Sequence, residues 1–164
     1  MILKLFGLPR TCTNLTKYMV ERYTVEDVTV WHHRPGVEDC IFHKHGGPRV
    51  TPGADGYLLC WKPRDLWVES IRRRTPWLDT SLAQEVWGAD VADQFSFQVY
   101  HPSLKCFVVS SQAWLDDPKG TMRLLCKTFG LTLKGNCALP TNALNRGGDA
   151  LPTMETDVVW TEKK

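Results

Sequence analysis

Ile2-Leu-Lys-Leu-Phe-Gly-Leu-Pro-Arg-Thr-Cys-Thr-Asn-Leu15 is the stretch whose reading decides the fold. Residues 2–7 open as a short apolar run of strand length, which Gly7 and Pro9 break. Thr11, Cys12, Thr13 and Asn14 form a tract of small hydroxyl, thiol and amide side chains, and residues 13–22 carry a helical pattern. A strand that turns into a helix N-terminus suits an anion. The first backbone N–H groups have no partner inside the helix, and the macrodipole adds partial positive charge. Arg10 brings a full charge on a fork that matches phosphate or sulfate. The segment predicts a phosphate-binding loop.

It is not the usual triphosphate loop. That pattern needs Gly, four residues, then Gly-Lys-Ser/Thr. Counted from Gly7, those three places hold Cys12, Thr13 and Asn14. No lysine stands where the β- and γ-phosphates are reached, and no hydroxyl stands in the Mg²⁺ position. An ordinary kinase or NTPase is disfavoured.

The rest of the chain is organised around this turn. Its 164 residues suit one domain with a core of its own, and 43% hydrophobic with 23% charged residues is an ordinary globular balance. A net charge of +2 gives no indication of nucleic-acid binding, so any basic function is local. Lys4 and Pro9-Arg10 interrupt the apolar start, which leaves neither a signal-peptide core nor a membrane span and points to a cytoplasmic protein. The six cysteines follow no regular framework and read as free thiols.

Further along, Tyr23–Trp31 is rich in β-branched residues and predicts a strand, and 37–42 a short extended segment. His43–Pro48 is a basic, glycine-rich turn, and 49–56 is loop. Tyr57–Trp61 predicts a strand. Asp65 predicts the cap of a helix to Arg74, with Leu66, Trp67 and Ile71 inward. Residues 80–103 stay open: Leu82, Val86, Ala89 and Ala92 or Asp93 make a helical stripe, while Phe95–Val99 alternates like a strand. Lys105–Ser110 predicts a strand. Asp117-Pro118 predicts a helix start, Met122, Leu125, Cys126 and Phe129 an apolar face, and Gly130 its stop. Residues 132–164 read as an irregular segment packing on the domain 1–131. Alternating strands and helices predict a three-layer α/β, P-loop-like fold with a largely parallel central sheet flanked by helices. Ligands bind beyond the carboxyl ends of such strands, where Arg10, His43, Lys44, His45, Lys62 and Arg64 would converge.

Several segments together resemble a family. Pro9-Arg-Thr-Cys-Thr-Asn14 is similar to the Pro-Lys/Arg-Ser/Thr-Gly-Thr-Thr/Asn loop of sulfotransferases that use 3′-phosphoadenosine 5′-phosphosulfate (PAPS). Phe42-His-Lys-His-Gly-Gly-Pro48 resembles their Lys-Thr-His-x-Pro turn. Tyr57–Ser70 resembles the strand–turn–helix whose Arg and Ser, eight apart, hold the 3′-phosphate; Lys62 and Ser70 keep that spacing, with Arg64 as the alternative cation. Val108–Leu131 is similar to the region built on Tyr-Glu-Asp-Leu, Asp-Pro and Phe-Leu-Gly-Leu. Cys12 stands where the family has glycine, and Lys62 where it has arginine.

The resemblance implies sulfuryl transfer from PAPS to an acceptor hydroxyl or amine without a required metal. Pro9, Arg10, Thr11, Cys12, Thr13, Asn14, Lys62, Arg64 and Ser70 would bind the nucleotide, with Arg10, Lys44 and His45 at the reaction. His45 is the expected base, with Glu38 or Asp39 as substitutes. Two other classes stay open: a diverged phosphotransferase, and a nucleotide-binding protein without turnover. Cys40, His43 and His45 carry zinc-type donors but lack a second group. Cys12 at a helix N-terminus allows an activated thiol. Arg72-Arg-Arg74 reads as a solvated helix end.

Overall fold

The structure is a computed structural model that describes residues 1–31 and 47–140. The expected 37–42 segment, most of the 43–48 turn and the chain beyond 140 lie outside the described residues. Among the described residues, four parallel strands, β1 (Ile2–Phe6), β2 (Thr29–Trp31), β3 (Gly56–Trp61) and β4 (Cys106–Ser110), stand in the order β2-β1-β3-β4. Leu5 pairs with Leu58 across β1 and β3, and Leu58 with Phe107 across β3 and β4. β1 and β3 are apolar at nearly every position because both faces of a central parallel strand are covered.

Alternation along those strands sets the layers. Leu3, Leu5, Leu58, Cys60 and Val109 face a core shared with α1 (Thr13–Tyr23), α4 (Ser111–Asp116) and α5 (Pro118–Phe129). Phe6, Tyr57 and Leu59 face Phe97 of α3 (Thr80–Tyr100) on the opposite side. Leu8 joins Trp67, Val68 and Ile71 of α2 (Arg64–Arg74) with Leu78 and Ala83. The result is a three-layer α/β architecture. Among the described residues, no helix is long and apolar enough to cross a membrane.

Local signals explain the best-defined ends. Asp117 caps α5 by accepting from the Gly120 N–H at 2.8 Å, Pro118 occupies the first helical position, and Gly130 closes the helix in the left-handed region at φ 71°. Met122, Leu125, Cys126 and Phe129 form its buried face.

The structure corrects several expectations. The strand expected over Tyr23–Trp31 is only Thr29–Trp31. Tyr23 completes α1 and buries its ring in the core, while Thr24 hydrogen-bonds back to the Val20 carbonyl at 2.9 Å. Tertiary packing overrides β propensity there. Asp65 is not the α2 cap; Pro63 holds that position. Leu66 is 43% exposed, and Val68 and Ser70 join Trp67 and Ile71 on the buried face. Residues 80–100 form one helix, capped by Asp79. Its fully buried positions are Ala83, Gln94 and Phe97; of the expected stripe Val86 packs inward, while Leu82 and Ala89 are exposed. Ser111–Asp116 is a helix that the sequence reading passed over. Beyond α5, Cys137 and Leu139 are buried in the α1/α5 core, and Leu133 bridges to Thr24.

A Cβ on Gly56 would lie 2.4 Å from the Phe129 ring, so β3 and α5 meet only because that position lacks a side chain. Gly56→Ala should cost about 1–3 kcal/mol, read as a lower midpoint in urea. A Phe129→Leu change in the same chain should recover part of that loss.

Candidate functional site

Strand order locates the place where a ligand fits. From β1 the chain goes to β2 on one side and β3 on the other. The covering helices change faces accordingly, with α1 on one side and α2 and α3 on the other. The carboxyl ends of β1 and β3 therefore flank a topological switch point, the crevice where open α/β sheets bind ligands. The β1–α1 loop, residues 7–12, emerges there beside Lys62 at the end of β3.

The loop is held on both sides. A Cβ at Gly7 would meet the Cys60 carbonyl oxygen at 2.6 Å and Thr11 Oγ1 at 2.7 Å, so only glycine lets β1 leave so close to β3. Thr11 turns its hydroxyl inward and donates to the Leu8 carbonyl at 2.6 Å. The Trp67 indole N–H donates to the Pro9 carbonyl at 2.8 Å, and the Trp87 indole N–H to the Lys62 carbonyl at 2.7 Å. Two tryptophans thus pin the backbones of the β1–α1 loop and of the turn after β3.

Arg10 and Cys12 both adopt left-handed backbone, at φ 73° and 65°. That region disfavours side chains with a Cβ by about 1–2 kcal/mol each. Cys12, which occupies the glycine place of the resembling loop, therefore keeps a glycine-like conformation. It is the N-terminal flanking residue of α1 and supplies no side-chain cap. The first intrahelical bond runs from the Thr16 N–H to the Cys12 carbonyl at 2.8 Å.

Behind the loop, the Thr16 hydroxyl organises a buried polar node. It accepts from the Trp114 indole N–H at 2.8 Å and from the Cys60 thiol at 3.4 Å, and donates to Cys12 Sγ at 3.8 Å. One donor and two lone pairs are all in use. Burial pushes the Cys12 thiol well above its ordinary range, the Cys60 thiol adding to the rise and Thr16 opposing it. Cys12 is thus a protonated packing group at neutral pH and not the activated thiol that its helix N-terminus allows.

Positive charge gathers on the open side. Arg10 Nε donates to Ser70 Oγ at 3.4 Å, joining the loop to the buried face of α2. Lys62 is half-buried, and its ammonium is held below the usual lysine range by burial first and by Arg10 second. Cys12 and Glu69 oppose that depression and Arg73 adds to it. Arg10, Lys62 and Ser70 are thereby brought to one place, with Thr13 buried and Asn14 half-buried at the start of α1. Arg64 is engaged instead with Asp65 on the surface at 3.1 Å. Arg73 pairs with Glu69 along α2. Lys44 and His45 lie outside the described residues, as do Glu38, Asp39 and the Cys40–His45 donors. An open groove of about 510 Å³ between α2 and α3 is lined by Asp65, Val68, Glu69, Arg72, Arg73, Thr80 and Gln84, and includes no residue of the β1–α1 loop.

Sequence reasoning missed the residues that hold the loop from behind. Thr16, Trp67, Trp87 and Trp114 read only as helix or core residues, since nothing in spacing marks an indole aimed at a carbonyl (Trp67, Trp87) or at the Thr16 hydroxyl (Trp114). Comparison with protein-family models, with curated proteins and with solved structures returns no match.

Thr16→Val keeps the shape of the node and strips its hydroxyl, leaving the buried Trp114 N–H without its acceptor. The expected loss is about 1–3 kcal/mol of unfolding free energy, measured by urea denaturation. Wild-type stability in that variant would remove the node from the account.

Proposed function

We propose that the chain is a sulfotransferase-like protein that binds PAPS at the β1/β3 switch point and transfers its sulfuryl group to an acceptor hydroxyl or amine. The observation that carries this reading is the approach of two mutually repelling cations, Arg10 and half-buried Lys62, at the mouth of an uncapped helix N-terminus. Like charges held together in a partly desolvated place favour an anion, which relieves their repulsion. Ser70, hydrogen-bonded to Arg10, adds a hydroxyl where the resemblance expects a 3′-phosphate contact. A nucleotide with phosphate groups at both the 3′ and 5′ positions matches that spread of donors: the first-turn N–H groups of α1 for one, Lys62 and Ser70 for the other.

The chemistry is an in-line displacement at sulfur. Positioning and charge stabilisation do most of the work in the analogous phosphoryl transfer. A sulfuryl group carries less charge than a phosphoryl, so fixed cations suffice for its stabilisation without a required Mg²⁺. In this reading Arg10 neutralises charge on the leaving phosphate. Lys44 and His45 enter this reading only through the resemblance, as a second cation and a base. A second reading, nucleotide binding without transfer, is favoured by Cys12, which puts a side chain where the resembling loop has glycine.

Calorimetric titration with adenosine 3′,5′-bisphosphate should give binding that does not depend on Mg²⁺. Arg10→Ala should weaken it roughly 10- to 100-fold, the worth of a charge-assisted hydrogen bond. Lys62→Met should weaken binding while raising the melting midpoint. The depressed folded pKa means that the charged form costs stability at neutral pH, a cost that fades as pH rises through that pKa toward ~10.4. Binding that requires Mg²⁺, or no submillimolar binding, would overturn the reading. Binding with no transfer of labelled sulfate from PAPS to any of a panel of acceptors would establish the second reading.

A further inference from the structure

Helix α3 lies on the sheet with an apolar inner face that is broken at one place. Ala83, Trp87 and Phe97 pack inward, but Asp90 and Gln94 stand between the last two. Polar groups on an inner face call for a reason. Gln94 is buried, and its side-chain amide donates both to the Cys60 carbonyl at 3.1 Å and to Asp90 Oδ2 at 2.7 Å. Trp87 donates to the Lys62 carbonyl. Asp90 falls between these two anchors, roughly 4.5 Å along the helix axis from Trp87 and about 6 Å from Gln94. Its carboxyl is therefore level with the final residues of β3, at the carboxyl edge of the sheet, and is half-buried there.

We infer that Asp90, oriented by Gln94, is the group that takes the proton of the acceptor hydroxyl. This rests on the transferase reading above. As the acceptor oxygen forms its bond to sulfur, its proton passes to an Asp90 carboxylate oxygen. The bond between sulfur and the bridging oxygen of the 5′-phosphate breaks, and the electron pair leaves with the bisphosphate. A sulfate ester, adenosine 3′,5′-bisphosphate and a protonated Asp90 result.

The surroundings suit that task. Burial raises the Asp90 carboxyl to about 6, the Gln94 amide opposing the rise and the Asp93 carboxylate on the same helix adding to it. From the sheet side the nearest group is the Cys60 carbonyl, which Gln94 links to Asp90, and Gly47 lies beside Asp93. A base with a pKa just below neutral is ionised at pH 7 yet still accepts a proton readily. Gln94 is a positioning residue, fixing one carboxylate oxygen and leaving the carboxyl in one orientation.

The test uses the full chain, PAPS as donor and phenol as acceptor, with adenosine 3′,5′-bisphosphate binding measured on the same samples. Wild type should lose transfer below a break near pH 6. Asp90→Asn, which mimics the protonated acid, should bind the bisphosphate within about twofold of wild type. It should lose transfer on the order of 100-fold or more, together with the pH break; Asp90→Glu should restore part of both. An Asp90→Asn variant with wild-type transfer, or one in which bisphosphate binding falls along with transfer, overturns the assignment. So does loss of the break in His45→Gln with Asp90→Asn unaffected. Wild type that binds the bisphosphate and transfers nothing overturns Asp90 and leaves the nucleotide site standing. Wild type that does not bind the bisphosphate overturns the transferase reading itself.

Discussion

The closeness of Gly7 to the Cys60 carbonyl is the constraint from which the rest follows. At 2.6 Å from where a Cβ would stand, that oxygen leaves no room for any other residue. β1 can therefore end flush against β3, and the chain must leave the sheet at once. The loop that results is short and is tied back by Thr11 to Leu8 and by Trp67 to Pro9. It delivers the N-terminus of α1 to the crevice between two strands whose helices lie on opposite faces. Were the strands a side chain further apart, Lys62 and Arg10 would not share a mouth.

Electrostatics and packing pull in opposite directions at this place. The interior behind the loop is neutral and saturated, with Thr16 joining two thiols and an indole. The exterior brings like charges together and lowers the Lys62 pKa. Two residues with side chains, Arg10 and Cys12, are held in left-handed backbone. Strain, repulsion and a raised carboxyl at Asp90 lie within one edge of one sheet, and such features concentrate where a protein acts on a ligand. At the opposite edge Gly56 receives the Phe129 ring in close packing.

How much could be read from the sequence follows from which interactions are local. β1, the turn after it, β3 and α5 were legible because their signals are contiguous: an apolar run, Gly and Pro, and an Asp-Pro start with a Gly stop. The three-layer parallel arrangement was legible from the alternation of such segments. α3 was not. It is apolar around much of its circumference, with Leu82, Phe95 and Val99 all exposed, so no stripe marked its inner face. Tyr23–Val28 misled for the opposite reason, since β-branched residues there serve a helix end and a turn. Of the candidate site, Arg10 and Lys62 were picked out by charge and by their place after predicted strands, and Ser70 only through the resemblance; the contact between Arg10 and Ser70 was not. Asp90 and Gln94 escaped because their meaning depends on the carbonyl of a strand more than thirty residues away, which no local pattern encodes.

The proposed function puts its anion in the β1–α1 loop against the end of β3. Backbone amide shifts followed by NMR during titration with adenosine 3′,5′-bisphosphate test it most directly. The account predicts the largest movements at Thr11, Cys12, Thr13, Asn14 and Lys62. Movements confined to the groove between α2 and α3, around Arg72 and Thr80, would contradict it.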